Sequence, residues 1–122
     1  MNAAGTATGM HIGDLDGSAT RGSSSWSATV EVTVHDANHN LLNGATVKGV
    51  WSVNGLNSNT CTTGELGGNG TCIMLFPSLS LSTPSVTFRV QKVTKSGQFY
   101  NPTDNHDVDG GTNGTGIKVT RP

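Results

Sequence analysis

Trp26–Asp36 reads WSATVEVTVHD and alternates between apolar and polar side chains along almost its whole length. From Trp26 to Val34 the even positions are apolar, and from Ser27 to His35 the odd positions are polar. A period of two residues places all the apolar side chains on one face of an extended strand. The stretch therefore predicts a β-strand with one face in the core and one face towards solvent.

The same alternation recurs in shorter segments along the chain. It is present at 45–53, 86–90 and 117–119, while 72–76 is apolar throughout and 7–12 suits a first strand. Turn-forming Gly, Asn, Asp and Pro residues separate these segments, and no window has helical periodicity. About seven short strands at this spacing predict an all-β, immunoglobulin-like sandwich. We expect a single domain at 7–122 that follows a flexible segment at 1–6.

Composition excludes several classes of partner. The 122 residues are enough for one domain with one core, and the formal net charge is −1. Lys and Arg are scattered along the chain, so no basic patch for nucleic acid is present. No apolar stretch approaches the roughly 18 residues of a membrane-spanning helix. We expect a monomer that does not bind nucleic acid and does not insert into a membrane.

Two cysteines, Cys61 and Cys72, flank a glycine-rich turn. Two thiols are too few for a structural zinc site by themselves. We expect them to form a disulfide that closes a local hairpin, the alternative being two reduced, buried thiols. A disulfide indicates an oxidising compartment, so the chain is expected to be secreted or at the cell surface.

Acidic residues are concentrated in two short segments. Asp14 and Asp16 lie near the start of the chain, and Asp104, Asp107 and Asp109 lie near its end. An Asp-x-Asp spacing sends two carboxylates to one side of an extended chain, and the first and last strands of a sandwich can be close in space. Oxygen ligands of this kind suit calcium. The suspected calcium ligands are Asp14, Asp16, Asp107 and Asp109, the alternative being solvated Asp-Gly turns.

Histidines and aromatic residues offer two further candidate sites. His11 and His106 each adjoin an acidic segment, so a transition-metal site with a carboxylate is an alternative to hydrogen-bonded loop histidines. Trp51 is expected in the core. Trp26, Phe99 and Tyr100 are candidate ligand-binding aromatics that could form a flat sugar-binding surface.

A family resemblance rests on several segments of the sequence. The stretch 36–47, DANHNLLNGATV, resembles bacterial immunoglobulin-like (Big-type) domains, in which a strand ends in Asp, an Asn/Gly turn follows and the next strand opens with Gly-Ala-x-Val. The segments 10–17 and 105–110 together are similar to modules found C-terminal to secreted bacterial hydrolases, notably subtilisin-like peptidases. The resemblance covers nearly the whole chain. It implies the fold more strongly than the function, because such sandwiches serve many unrelated proteins.

These observations favour a non-catalytic, calcium-stabilised accessory or binding module of a secreted bacterial protein. Its expected partner is the parent secreted enzyme domain or an extracellular polymer. No Gly-x-Ser-x-Gly nucleophile motif is present. Two alternatives stay open: a small metal-dependent hydrolase acting on an ester, lactone or glycoside, and a carbohydrate-binding or adhesion module.

Overall fold

The computed structural model describes residues 8–53, 57–65, 69–107 and 112–122. The segment 1–6, for which flexibility was predicted, lies outside these residues. The described part of the chain contains eight strands and a short 3-10 turn at Pro102–Asp104. The strands are β1 Thr8–Arg21, β2 Ser25–Asp36, β3 Thr46–Trp51, β4 Asn57–Thr62, β5 Thr71–Ser80, β6 Ser85–Thr94, β7 Gln98–Tyr100 and β8 Gly116–Thr120.

The strands form two sheets that pack face to face. Sheet I has the order β5-β2-β1-β7, and sheet II has the order β4-β3-β6-β8. All pairings are antiparallel except that of β1 with β7, which is parallel. The predicted all-β sandwich is confirmed, with eight strands in the described residues where about seven were expected.

Two strands differ from the sequence expectation. β1 continues beyond the first strand predicted at 7–12 and ends at Arg21, because Gly17–Arg21 pair with Trp26–Val30 of β2. β4 was not predicted, since Asn57–Thr62 carries no apolar alternation. It is held at the edge of sheet II by its pairing with β3.

The core lies between the sheets and contains both tryptophans. Trp51 is 1% exposed and contacts Phe88, with ring centroids 5.0 Å apart. Trp26 is also 1% exposed, and its indole N–H donates to the backbone carbonyls of Ser80 and Thr83. This burial corrects the expectation that Trp26 contributes to an exposed binding surface: its alternation places it on the core face of β2.

Cys61 and Cys72 form the predicted disulfide. The bond does not close a local hairpin, because β4 belongs to sheet II and β5 to sheet I. It therefore ties the two sheets together at one edge of the sandwich. A bridge across 11 residues contributes about 3 kcal/mol in the chain-entropy model.

A β-bulge in β1 determines which side chains face away from the core. The pairing register shifts between Ile12, opposite Val34, and Asp14, opposite Thr33. Side chains at 10 and 12 point into the core before the bulge, and the side chain at 15 does so after it. As a result His11, Asp14 and Asp16 share the outer face of sheet I, although their spacing in a regular strand would place His11 on the opposite face from the two aspartates.

Candidate functional site: a cluster of four histidines

All four histidines of the sequence meet at one end of sheet I. His11 of β1 lies directly opposite His35 of β2, on the outer face of the sheet. The other two come from the chain segments that follow β2 and β7. One nitrogen of each ring lies within 4.8 Å of a nitrogen from every other ring, and we call this group the histidine cluster: His11, His35, His39 and His106.

A tight turn after β2 brings His39 to the cluster. The backbone N–H of His39 donates to the carbonyl of Asp36 at 3.0 Å, and the Asp36 carboxylate accepts hydrogen bonds from the backbone N–H groups of Asn38 and Asn40. These bonds lower the pKa of Asp36, and they hold the turn closed. His39 has φ 65°, a left-handed conformation that is uncommon for residues other than glycine and that often marks functional positions.

The segment after β7 carries His106 along the edge of β1 beyond the three residues that pair with β7. Its backbone N–H donates to the carbonyl of Ile12 at 3.0 Å, and the Asn105 side chain accepts the Ile12 N–H at 2.8 Å. Gly114 packs directly against this backbone: a Cβ there would lie 2.5 Å from the N and O atoms of His106. The Nδ1 atom of His106 lies 3.3 Å from the Asp104 carbonyl, so a proton on Nδ1 leaves Nε2 free to bind a metal.

The ring positions fit tetrahedral coordination. Metal–nitrogen bonds of about 2.0–2.1 Å place each imidazole centroid about 3.2 Å from the ion, so tetrahedral angles separate the centroids by about 5.2 Å. Square-planar ligation would instead give about 4.5 Å between neighbouring rings and about 6.4 Å between opposite rings. The six observed distances all fall between 4.9 and 5.8 Å.

Burial favours the neutral form of two of the rings, and one nitrogen of each has no hydrogen-bond partner. His11 is 2% exposed and His35 is 9% exposed. Desolvation, and then the charges of the other histidines, lower the pKa of both rings below the usual 6.5. His11 Nε2 and His35 Nδ1 are buried and accept or donate no hydrogen bond. Such atoms are costly unless something binds them, and a metal ion bonded to a neutral imidazole would do so.

Three of the four acidic residues predicted to bind calcium, Asp14, Asp16 and Asp107, are neighbours in the structure. The carboxyl groups of Asp16 and Asp107 are near enough to Asp14 to influence its pKa. Burial, followed by these two neighbours, raises the pKa of Asp14 to about 8. We call Asp14, Asp16 and Asp107 the acidic cluster. Asp109, the fourth predicted ligand, lies outside the described residues.

The raised pKa of Asp14 predicts a pH dependence of stability in the metal-free protein. The carboxyl has a pKa near 3.8 when unperturbed and about 8 in the fold, so between these values the folded state holds the extra proton. The contribution of Asp14 to the free energy of unfolding therefore falls as pH rises through this window. We expect the difference between wild type and Asp14→Asn to change by more than about 1 kcal/mol from pH 4 to pH 8, since one pKa unit corresponds to about 1.4 kcal/mol.

Urea denaturation in EDTA at several pH values measures this difference. The lowered pKa values of His11 and His35 make stability rise with pH towards 6.5. That effect is present in both proteins and cancels in the comparison. Parallel pH profiles for the two proteins would contradict the assignment to Asp14.

The candidate ligand-binding aromatics do not share a surface. Phe99 is 50% exposed and its ring lies over Gly9. The next residue, Tyr100, packs against the core, and its hydroxyl accepts a hydrogen bond from Asn105 at 2.6 Å. Since Trp26 is buried at another position, Phe99 alone of the three presents a broad face to solvent.

Sequence reasoning linked His11 and His106 but did not join His35 and His39 to them. A signal was present: His35 occupies an outward-facing position of a strand that could pair with β1, and His39 lies in the turn that follows. The register between β1 and β2 was needed to use it, and no local pattern specifies that register.

Comparisons with models of protein families, with curated proteins and with solved structures found no match. Within the described residues, no helix is long and apolar enough to cross a membrane.

Proposed function

We propose that this chain is a non-catalytic accessory module of a secreted bacterial protein and that its histidine cluster binds one Zn²⁺ ion. The observation that carries the proposal is the near-equal spacing of the four rings, with all six centroid distances between 4.9 and 5.8 Å. The two unpartnered nitrogens, on His11 and His35, support it independently of the spacing.

Zinc fits this arrangement better than other ions that imidazole binds. Cu²⁺ and Ni²⁺ prefer square-planar or tetragonal geometry, whereas Zn²⁺ has no electronic geometric preference and is usually tetrahedral. A tetrahedral ion needs ligand nitrogens about 3.3 Å apart. The ligand nitrogens of the four histidines lie within 4.8 Å of one another. Rotation of the side chains would have to bring them closer together to bind the ion.

The number of ligands favours a stabilising role over catalysis. Catalytic zinc sites keep one position open for water or substrate, whereas four protein ligands fill a tetrahedral ion. The bound ion would join strands β1 and β2 to the turn at 36–40 and to the segment that carries His106. This is the part of sheet I where a three-residue strand, β7, is the edge.

The sheet-linking disulfide supports the extracellular part of the proposal, because such bonds persist in oxidising compartments. The expected partner is the parent secreted enzyme domain or an extracellular polymer. The resemblance of 36–47 to Big-type domains supports the bacterial origin and the accessory role. Because the ligand set is closed, the hydrolase alternative has no metal position at which substrate could bind.

Titration of metal-stripped protein with Zn²⁺, in competition with a chromophoric chelator, tests the proposal. We expect one ion per chain. Replacing the exposed ligand His39 by Asn should weaken binding at least 100-fold. Asn tolerates positive φ, so this change removes a ligand without adding backbone strain. Asn38→Ala, in the same turn, is the matched control and should bind zinc as the wild type does.

Cobalt reports the geometry directly. Co²⁺ in a tetrahedral site absorbs visible light much more strongly than octahedral Co²⁺, and we expect the intense spectrum for wild type and for Asn38→Ala. A weak octahedral spectrum, or equal zinc affinity in His39→Asn and wild type, would show that the four histidines do not form the proposed site.

A further inference from the structure

We propose that the outer face of sheet II is an interaction surface for an acidic polysaccharide with carboxylate groups along its chain. Four cationic side chains would make the contact, and we call them the basic stripe: Lys48, Arg89, Lys92 and Lys118. The inference names the extracellular polymer that an accessory role requires, and in that respect it rests on the proposed function. It does not depend on the histidine cluster, which lies on the opposite side of the sandwich, on the outer face of sheet I.

The two sheets carry charges of opposite sign. The strands of sheet II, as far as the structure describes them, contain the four cations of the basic stripe and no Asp or Glu. The strands of sheet I contain only one Lys or Arg, Arg21, and four acidic residues: Asp14, Asp16, Glu31 and Asp36. Sequence order conceals this separation, because the strands of the two sheets are interleaved along the chain.

Strand register arranges the four cations diagonally across sheet II. Lys48 of β3 lies directly opposite Lys92 of β6, and Lys118 of β8 lies opposite Thr87 of β6. Arg89 lies between these two levels on β6. With about 3.4 Å per residue along a strand and about 4.8 Å between strands, the basic stripe runs for about 17 Å across three strands.

The side chains of the basic stripe point away from the core. Each cation has a neighbour in sequence that is buried between the sheets: Val47, Val90, Val93 and Val119. Because successive side chains of a strand point to opposite faces, the cations lie on the outer face. Arg89, Lys92 and Lys118 are exposed, and Lys48 is partly exposed. All four are therefore accessible to a partner.

The pairing of Lys48 with Lys92 is unfavourable unless an anion binds there. Directly opposed side chains on one face of an antiparallel pair have Cβ atoms about 4.5–5.5 Å apart, and like charges in this position repel. Among the described strands of sheet II there is no carboxylate to offset the repulsion. Ammonium and guanidinium groups form charge-assisted hydrogen bonds with carboxylates, so a carboxylate of the partner would remove this penalty.

The rest of the face favours a polysaccharide over other polyanions. The large apolar side chains that the described residues expose all lie outside sheet II: Leu41, Ile73, Leu75 and Phe99. The face therefore offers no aromatic platform for nucleic-acid bases and no apolar side chain to enter a bilayer. Exposed hydroxyl and amide side chains of β6 can instead bond to sugar hydroxyls, and they are Thr87, Gln91 and Thr94.

Binding of the full chain to polygalacturonate, measured by isothermal titration calorimetry at pH 7, tests the proposal. EDTA is present so that no metal ion bridges the polymer and the protein. We expect saturable binding at 50 mM NaCl that weakens at least 10-fold at 200 mM NaCl, because cations that contact a polyanion release its counterions. Dextran, a neutral polysaccharide, should not bind.

A charge-matched pair of variants locates the contact. Lys92→Glu should weaken binding at least 10-fold, because the new carboxylate lies opposite Lys48 and neutralises it. Arg21→Glu, on β1 of sheet I, changes the net charge by the same amount and should retain wild-type affinity. Both positions are exposed, and thermal unfolding of each variant checks that it folds.

Several outcomes would overturn the proposal. The absence of saturable binding to polygalacturonate is one, and an equal loss of affinity in Lys92→Glu and Arg21→Glu is another. Tighter binding to single-stranded DNA or to vesicles of anionic phospholipid would assign the face to a different partner. None of these results alters the expected stoichiometry of the zinc titration, and a failed zinc titration leaves the polymer binding unchanged, so the two proposals fail separately.

Discussion

Saturating Zn²⁺ should raise the melting temperature of the metal-stripped protein by roughly 15 °C. An ion that binds only the folded state adds about 4 kcal/mol to the free energy of unfolding when its free concentration is 1,000 times the dissociation constant. For a domain of this size each kcal/mol shifts the melting temperature by about 4 °C. The reason for so large an effect is that four chain segments, which carry His11, His35, His39 and His106, become joined through a single ion.

Thermal unfolding followed by circular dichroism measures this shift. A chelator that prefers transition metals to calcium should reverse it, and calcium added alone should not reproduce it. His39→Asn should melt at one temperature with and without zinc. If zinc shifts this variant as much as the wild type, the stabilisation comes from another part of the chain.

Gly13→Ala should abolish measurable zinc binding, with a loss of affinity of at least 100-fold. A Cβ at this position would lie 2.4 Å from the Cε1 and Nδ1 atoms of His35 and 2.7 Å from its Cγ atom. These distances are far below van der Waals contact, so the His35 ring must rotate away. The ring is nearly buried, and its displacement moves His35 relative to the other three histidines of the cluster. The fold itself should lose only about 1–3 kcal/mol, as for other overpacked positions.

Competition titration and urea denaturation together separate the two effects. Gly9→Ala, on the same strand, is the matched control, because its added Cβ would make ordinary contact with the Phe99 ring at 3.4 Å. It should retain wild-type zinc affinity. Adding His35→Ala to Gly13→Ala should recover most of the lost stability but none of the binding. Wild-type affinity in Gly13→Ala would contradict the position of His35 as a ligand.

The two clusters depend on one irregular element, the bulge of β1. If β1 were regular, His11 and Asp14 would point to opposite faces, and one of them would enter the core. The bulge at Gly13 lets the first half of the strand present His11 beside His35, while the second half presents Asp14 and Asp16 beside Asp107. Glycine at this position leaves room for the His35 ring.

Parts of this arrangement were predictable from local patterns. The alternation in Trp26–Asp36 identified β2 and its core face, and the paired cysteines predicted the disulfide. The aspartates near the two ends of the chain predicted that those ends meet, and Asp14, Asp16 and Asp107 do lie together. The polar strand β4 was missed because no apolar period marks it. Without β4, the disulfide was predicted to close a local hairpin, whereas it joins β4 of sheet II to β5 of sheet I.

By itself, the sequence determined the class of fold, since the burial of alternating apolar residues allows only a two-layer β structure for most of this chain. It also determined which chemical groups are available, four imidazoles and a group of carboxyls near the two ends. Only the tertiary structure decided which of them meet. Long-range strand register placed His11 opposite His35. The turn after β2, in which His39 itself has a left-handed conformation, placed His39 beside them. A backbone hydrogen bond to Ile12 of β1 placed His106 there. Register is set by packing across the whole sandwich, and for that reason no short stretch of the sequence could reveal the histidine cluster.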